Sequence, residues 1–386
     1  MRARELGIVN GAGNPGPLNA ITDVAGVLVG HTTLISGDGP LVVGAGPVRT
    51  GVTVIRPHDG VVPEQPLFAG YHRTNGAGEI TGIQWLIESG QLVSPIAFTN
   101  THSVGAVHEA MIALEVRDRR PGHIFWSVPV VTETYDGYLN DINGFHVRRE
   151  HVFAAHDGAA AGPVEEGSVG GGTGMISFGF KAGIGTASRV LPAEAGGFTV
   201  GVITQANFGR REEFVVNGAP VGLVLTDDQF PKPRIPEFGP TGRPPVPGAG
   251  LGGSCVAVVA TDAPLLPQQL AAVAQRLGLG LARLGNSADH WSGDLFLAFS
   301  TAHRGQLSAG NRTAATSLAT PVAMLSDHFL DPIFTATVEA MEEAIVNAML
   351  ASPTMVGRDG VTAHGLPADR LVEVLRRHDR LTFRPA

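Results

Sequence analysis

The feature that most constrains the fold is a series of short apolar runs, rich in β-branched residues and mostly closed off by Gly, Pro, Asp or Asn. They fall at 27–29, 52–55, 128–131, 200–203, 221–225, 256–259 and 295–299. Runs this short between turn formers read as strands. Helical periodicity is clearest at 83–89, 104–116, 267–277 and 338–351. In the last of these, Val338, Met341, Ile345, Ala348 and Met349 share one face. Asp262 or Pro264 would start the helix at 267, and Gly278 would sit just past its end. Strands and helices are both numerous but do not alternate strictly. This predicts a layered α+β sandwich rather than a doubly wound parallel sheet.

The chain has 386 residues, 43% hydrophobic and 16% charged, which suits a large buried core. Its 52 glycines cluster beside the apolar runs without a triplet repeat, so they imply tight turns and close backbone approaches. A net charge of −8 argues against a nucleic-acid partner. The basic stretch 117–120, interrupted by Asp118, reads as a solvated helix end. The single cysteine, Cys255, excludes an internal disulfide; within Gly-Ser-Cys-Val-Ala-Val-Val-Ala it reads as a buried strand residue. No apolar run reaches the ~18 residues that span a membrane, and the first residues lack a signal-peptide hydrophobic segment. A cytoplasmic protein without a membrane partner is expected. Two segments read as loops. Residues 155–167 are small and acidic, predicting an exposed, mobile segment. Residues 231–250 hold seven prolines and four glycines, predicting irregular surface chain.

Chemistry concentrates at Glu166-Gly-Ser-Val-Gly-Gly-Gly-Thr-Gly-Met175. A phosphate loop fits poorly. The spacing is not G-x-G-x-x-G, and Lys181 comes too late for a G-K-S/T signature. A nucleophile elbow fails because Glu166 stands where it needs glycine. A third reading is an N-terminal nucleophile made by self-cleavage between Gly167 and Ser168. A serine hydroxyl needs a base. A freed α-amino group, with an ordinary pKa of about 7.7–8.0, is partly neutral near pH 7 and lies on the same residue. Spacing alone leaves an ordinary glycine-rich turn equally open.

The run Gly167 to Met175, followed by Lys181-Ala-Gly-Ile-Gly-Thr-Ala-Ser-Arg189, resembles the L-aminopeptidase/D-esterase family, which includes the β-peptidyl aminopeptidases. Further matching segments lie at 21–31, 75–82, 99–105, 133–144, 260–265 and 292–301, in order along nearly the whole chain. The resemblance implies self-cleavage into an α chain, 1–167, and a β chain, 168–386, forming one structural domain. It implies an αββα sandwich, two stacked sheets between helical layers, with the connectivity of ornithine acetyltransferases. It also implies tetramers of the processed unit, no metal or organic cofactor, and substrates with free N-termini: short peptides, amino-acid amides or esters, and in one branch β-peptides.

The resemblance also implies site roles. Ser168 would attack, with its own amine as base. An asparagine, Asn140 or Asn143, would serve the oxyanion hole, where one donor is worth roughly 10²–10³ in rate. An acid would hold the substrate ammonium; Glu79 is the first choice, with Glu88 and Glu133 behind it. Tyr135 and Asn207 would line the site, and His102 would order the loop at Asn100. Ala77, where many relatives carry Asn, alters the Glu79 subsite.

Overall fold

The computed structural model describes residues 1–119, 122, 125–233, 253–307 and 319–381. In chain order its principal strands are β1 (Leu28–Ser36), β2 (Val48–Arg56), β3 (Leu67–Arg73), β4 (Gln91–Leu92), β5 (Ile96–Asn100), β6 (Val130–Thr134), β7 (Ile176–Ser177), β8 (Phe180–Lys181), β9 (Ile184–Val190), β10 (Thr199–Asn207), β11 (Gly253–Thr261) and β12 (Ser292–Ser300). The helices are α1 (Ile83–Ser89), α2 (Val104–Asp118), α3 (Arg149–Asp157), α4 (Val221–Val224), α5 (Pro267–Arg283), α6 (Asp331–Leu350) and α7 (Ala368–Arg377). A four-stranded sheet runs β1-β2-β5-β6 and a six-stranded sheet runs β4-β3-β12-β11-β10-β9. The larger sheet is antiparallel except where β11 meets β12.

Side chains alternate across each strand, and in β2, β5, β6, β10, β11 and β12 nearly all are buried on both faces, so these runs read as continuously apolar. On β11, Cys255, Ala257 and Val259 join Leu270, Val273 and Leu277 of α5 and Met341 and Ile345 of α6. Val256, Val258 and Ala260 face the other way, into a core shared with Ile55, Ile96, Phe98 and Val130 of the smaller sheet. Val52, Val54, Ala97 and Val131 then pack on Val107, Met111 and Leu114 of α2 and Val152 of α3. The buried Cys255 matches the expectation from sequence. Among the described residues, no helix is long and apolar enough to cross a membrane.

Three expectations change. First, α5 does not stop before Gly278 but continues to Arg283. A glycine inside a helix is tolerated where packing compensates. Here Gly280 backs onto α6, where a Cβ would lie 2.6 Å from the Met341 Cβ. Second, 221–225 is not a strand. The Gly222 N–H donates to the Phe214 carbonyl, Leu225 closes a turn onto Val221, and α4 results. A five-residue apolar run has no period that separates the two states. Third, 155–167 is not a free segment. Its start completes α3, Ala160 bridges to Val29, the Thr22 hydroxyl donates to the Gly162 carbonyl, and Gly167 bridges to Ile184. Of the proline-rich stretch 231–250, residues 234–250 lie outside the described residues.

The Gly280 contact makes a simple prediction. Gly280→Leu forces α5 and α6 apart and should cost about 1–3 kcal/mol of stability. Scanning calorimetry checks this; an unchanged Tm would show that the interface has room.

Candidate active site

The C-terminal end of β10 and the N-terminal ends of β11 and β12 lie side by side. Asn207 is directly opposite Ser254 in the antiparallel pair. Such partners hold their Cβ atoms about 4.5–5.5 Å apart on the same face. On the other side, Ser254 stands beside Gly293, whose N–H donates to Ser254 Oγ at 3.2 Å. Alternation with Val256 and Val258 turns the Ser254 side chain toward the smaller sheet. The approach at Gly253 is close: a Cβ there would lie 2.6 Å from the Asn207 carbonyl oxygen.

Asn207 is held at both ends of its amide. Its Oδ1 accepts from the Ile176 N–H at 2.8 Å, and its Nδ2 donates to the Tyr135 carbonyl at 2.9 Å. Among the described residues the second Nδ2 hydrogen has no partner. The Tyr135 ring is half-buried and meets Tyr138 edge-on, with centroids 5.6 Å apart.

Two buried acids lie near the strand ends that carry the serine. Glu133, at the end of β6, is only 2% exposed. One carboxylate oxygen accepts the Glu79 N–H at 2.9 Å and the other accepts the Thr101 hydroxyl. Burial raises its pKa. The loop at 75–79 joins this acid to the serine: a Cβ on Gly78 would lie 3.2 Å from both Glu133 Oε1 and Gly293 Cα. The second acid, Asp294, accepts from the Ser292 hydroxyl (2.8 Å), the Cys255 N–H (3.1 Å) and Asn75 Nδ2 (2.8 Å). Burial raises its carboxyl pKa to about 6.

The other expected residues lie differently. The Glu79 side chain is exposed and bonds its neighbour's N–H, so its main chain, not its carboxylate, meets the site. Asn140 uses its amide as a brace, accepting from Arg49 N–H and donating to the wholly buried Asp136. Burial raises the Asp136 carboxyl to about 7. Asn143 is exposed on a short turn. His102 is exposed and stacks on Phe145, while Asn100 caps its own turn by accepting from Ser103 N–H. The structure therefore links Tyr135 through Asn207, and the second-choice acid Glu133 through the 75–79 loop, to the strand ends that carry Ser254, a serine that the sequence motifs did not single out.

Ser168 does not join this cluster. Gly167 pairs with Ile184 on the outer side of β9, so β9 and β10 intervene before β11. At about 4.8 Å per strand, that separation is roughly 14 Å. The Glu166 carboxylate is tied to Thr186 N–H (2.9 Å) and Arg2 (2.8 Å), and Ser168 Oγ is buried without a partner among the described residues. The glycine-loop amides are also used internally. Gly170 N–H donates to Thr33, Gly171 N–H to Thr53, and Gly172 N–H to the Val169 carbonyl. None of these three is left for a phosphate.

Comparison with known proteins now bears on this cluster. Residues 19–363 match the model of peptidase family S58. The chain belongs to that family. It is a serine-type aminopeptidase. It is 47% identical over 381 residues to the beta-peptidyl aminopeptidase BapA of Sphingosinicella microcystinivorans, covering 98% of this chain and 93% of the relative. Its structure resembles the Burkholderia sp. beta-aminopeptidase, with a TM-score of 0.88, 48% identity and complete coverage of both chains. It also resembles the L-aminopeptidase D-Ala-esterase/amidase of Ochrobactrum anthropi, with a TM-score of 0.85, 41% identity, and 98% and 99% coverage. That enzyme is described as a prototype for the serine aminopeptidases and a new variant among the Ntn hydrolase fold. The family resemblance drawn from the sequence motifs is thus borne out.

A signal for Ser254 was present in the sequence. Gly252-Gly-Ser254 ends a proline- and glycine-rich stretch immediately before a strand. That is the same pattern of small residues leading to Gly-Ser that drew attention to Ser168.

The Asp294 environment sets a pH dependence. An ordinary aspartate titrates near 3.8, and this one near 6. Between those values the native state holds a proton that the unfolded chain has lost, so this group weakens the fold as pH rises through the window. Asp294→Asn removes that slope. The Tm of the variant relative to wild type should rise from pH 4 to pH 6.5; a constant difference would contradict the buried, proton-binding carboxyl.

Proposed function

We propose that this family S58 enzyme cleaves itself between Gly253 and Ser254, and then removes N-terminal β-amino-acid residues from short peptides and amides. The observation that carries the reading is the direct pairing of Ser254 with Asn207, beside the buried acids Glu133 and Asp294. This moves the nucleophile from the expected Ser168, and the chain junction from 167/168 to 253/254. The substrate class rests on the names of the relatives at 47% and 48% identity. The three largest cores of the fold support reading the layers as helix, sheet, sheet, helix.

In the self-cleavage step Ser254 Oγ adds to the Gly253 carbonyl carbon. The C–N bond breaks, the acyl group passes to oxygen, and water hydrolyses the ester. The products are a Gly253 carboxylate and a Ser254 carrying a free α-amino group. Gly253 has no side chain of its own to obstruct attack on that carbonyl.

In turnover the neutral amine takes the proton from Oγ as it attacks the substrate carbonyl. The remaining N–H of Asn207 is available to the oxyanion. The amine then returns the proton to the leaving nitrogen, and water releases the acyl group by the same path. Glu133 offers a carboxylate to the substrate ammonium, a charge-assisted bond in a low-dielectric site. Asp294 and Ser292 lie beside the first residues of β11 and support the orientation and proton affinity of the amine. Assembly into tetramers belongs to the same proposal and is checked by sedimentation.

Intact mass spectrometry should give fragments 1–253 and 254–386, the second beginning Ser-Cys-Val. Ser254→Ala should remain one chain without turnover, while Ser168→Ala should still be cut and active. The opposite pattern would return the nucleophile to 168. Asn207→Ala should lower kcat by roughly 10²–10³. A panel of p-nitroanilides carrying β, α-L and α-D residues tests the substrate class; faster turnover of α-L residues would overturn the β assignment.

A further inference from the structure

Lys181 is fully buried on β8. Its ammonium donates to backbone carbonyls: Ala182 at 2.5 Å, Met175 at 2.9 Å and Gly172 at 3.5 Å. No carboxylate is paired with it among the described residues. A lysine buried in this way loses its hydration and gains only neutral acceptors, a costly arrangement for chain that merely needs a turn.

The Met175 carbonyl belongs to the same peptide unit as the Ile176 N–H. That unit is planar, so fixing one end fixes the other. At the carbonyl end it receives Lys181 Nζ and, at 3.0 Å, the Ala182 N–H. At the N–H end it donates to Asn207 Oδ1 at 2.8 Å. The opposite side of the Asn207 amide donates to the Tyr135 carbonyl. An asparagine amide can flip, exchanging its oxygen for its nitrogen. The Ile176 N–H and the Tyr135 carbonyl select the present orientation together; if the 175–176 unit rotated, the first would leave, and only the Tyr135 carbonyl would oppose a flip that exchanges the Asn207 N–H for its oxygen. A carbonyl oxygen there would repel an oxyanion that an N–H stabilises.

We propose that Lys181 is a positioning residue for the aminopeptidase reaction: it locks the 175–176 peptide plane so that Asn207 presents an N–H, not an oxygen, to the Ser254 site. This rests on Ser254 as nucleophile and Asn207 as oxyanion donor. It explains why a lysine, rather than an apolar residue, stands under the glycine loop. The N–H donors of one flexible stem can serve several carbonyls, and methionine of similar volume can serve none.

The test is a double-mutant cycle on the full chain. Lys181→Met, Asn207→Ala and the double variant are assayed on one p-nitroanilide, with folding followed by Tm and cleavage by intact mass. Lys181→Met is expected to lower kcat at least tenfold and change KM less than threefold. In the double variant the effects should not multiply, with kcat within threefold of Asn207→Ala alone. Multiplying effects, or an unchanged kcat in Lys181→Met, would overturn the proposal. Should Lys181→Met fail to mature, Lys181→Arg takes its place in the cycle, with an expected loss of at least threefold in kcat. Misfolding of both would assign Lys181 to the fold alone and also overturn the proposal. Failure of the underlying assignment is separately visible: active Ser254→Ala, or Asn207→Ala without effect, sinks it whatever Lys181 does.

Discussion

The pairing of β11 with two different neighbours is the constraint on which the rest depends. Antiparallel contact with β10 sets Ser254 against Asn207, and parallel contact with β12 sets it against Gly293. A shift of one residue in either register would turn the serine into the opposite core. The register is held by the apolar alternation of β11, buried on both faces, so there is no solvent side to absorb a slip. Glycine then admits the close neighbours. At Gly293 a Cβ would meet the Ala77 carbonyl at 2.7 Å, which is how the loop carrying Asn75 comes down over the strand ends.

Buried charge is spent elsewhere in the fold, mostly at a distance from this site. The N-terminal residues cross β9 and α6 as a strap. Arg4 pairs with Glu343, Glu339 accepts the N–H groups of Ala12 and Gly13, and Arg189 bridges Glu339 and Glu343. Such pairs gain little net free energy over apolar packing, but removing one partner strands a buried charge. Their effect is directional: the strap can close in one way only, because each carboxylate is already matched to particular donors.

Much of the fold was legible in the sequence, and for physical reasons. Strands buried on both faces announce themselves as apolar runs, and α2 and α6 announce themselves by period. Segments 221–225 and 278–283 misled because their state is decided by contacts, of Gly222 with Arg211 and of Gly280 with Met341, that no local pattern contains. The site was less legible. Tyr135 and Asn207, expected near a site, are hydrogen-bonded to one another; of the two glutamates in the motifs, Glu133 is buried and Glu79 exposed, a difference that only the fold decides. The glycine run at 170–174 drew attention to Ser168, yet its glycines answer a packing need. Gly171 sits against Gln205 and the Phe98 carbonyl, and Gly172 against the Ile184 N–H. A loop threaded between sheets and a loop around a ligand require the same absence of side chains.

The order of the six-stranded sheet has a consequence for how long such a molecule lasts. Strands β4 and β3 precede residue 253, β12 and all of β11 beyond its first residue come after it, and β10 and β9 precede it again. A chain severed at that point is two polypeptides whose strands are interleaved, the later piece clasped on both edges by the earlier. Neither piece can leave without tearing the central core, so the native form is guarded by a barrier. The return is not guarded in the same way. Once unfolded, the pieces must find each other in solution, where before cleavage one chain carried both. Folding would then be available once, before the cut, and the severed molecule would be measured by its lifetime rather than by an equilibrium.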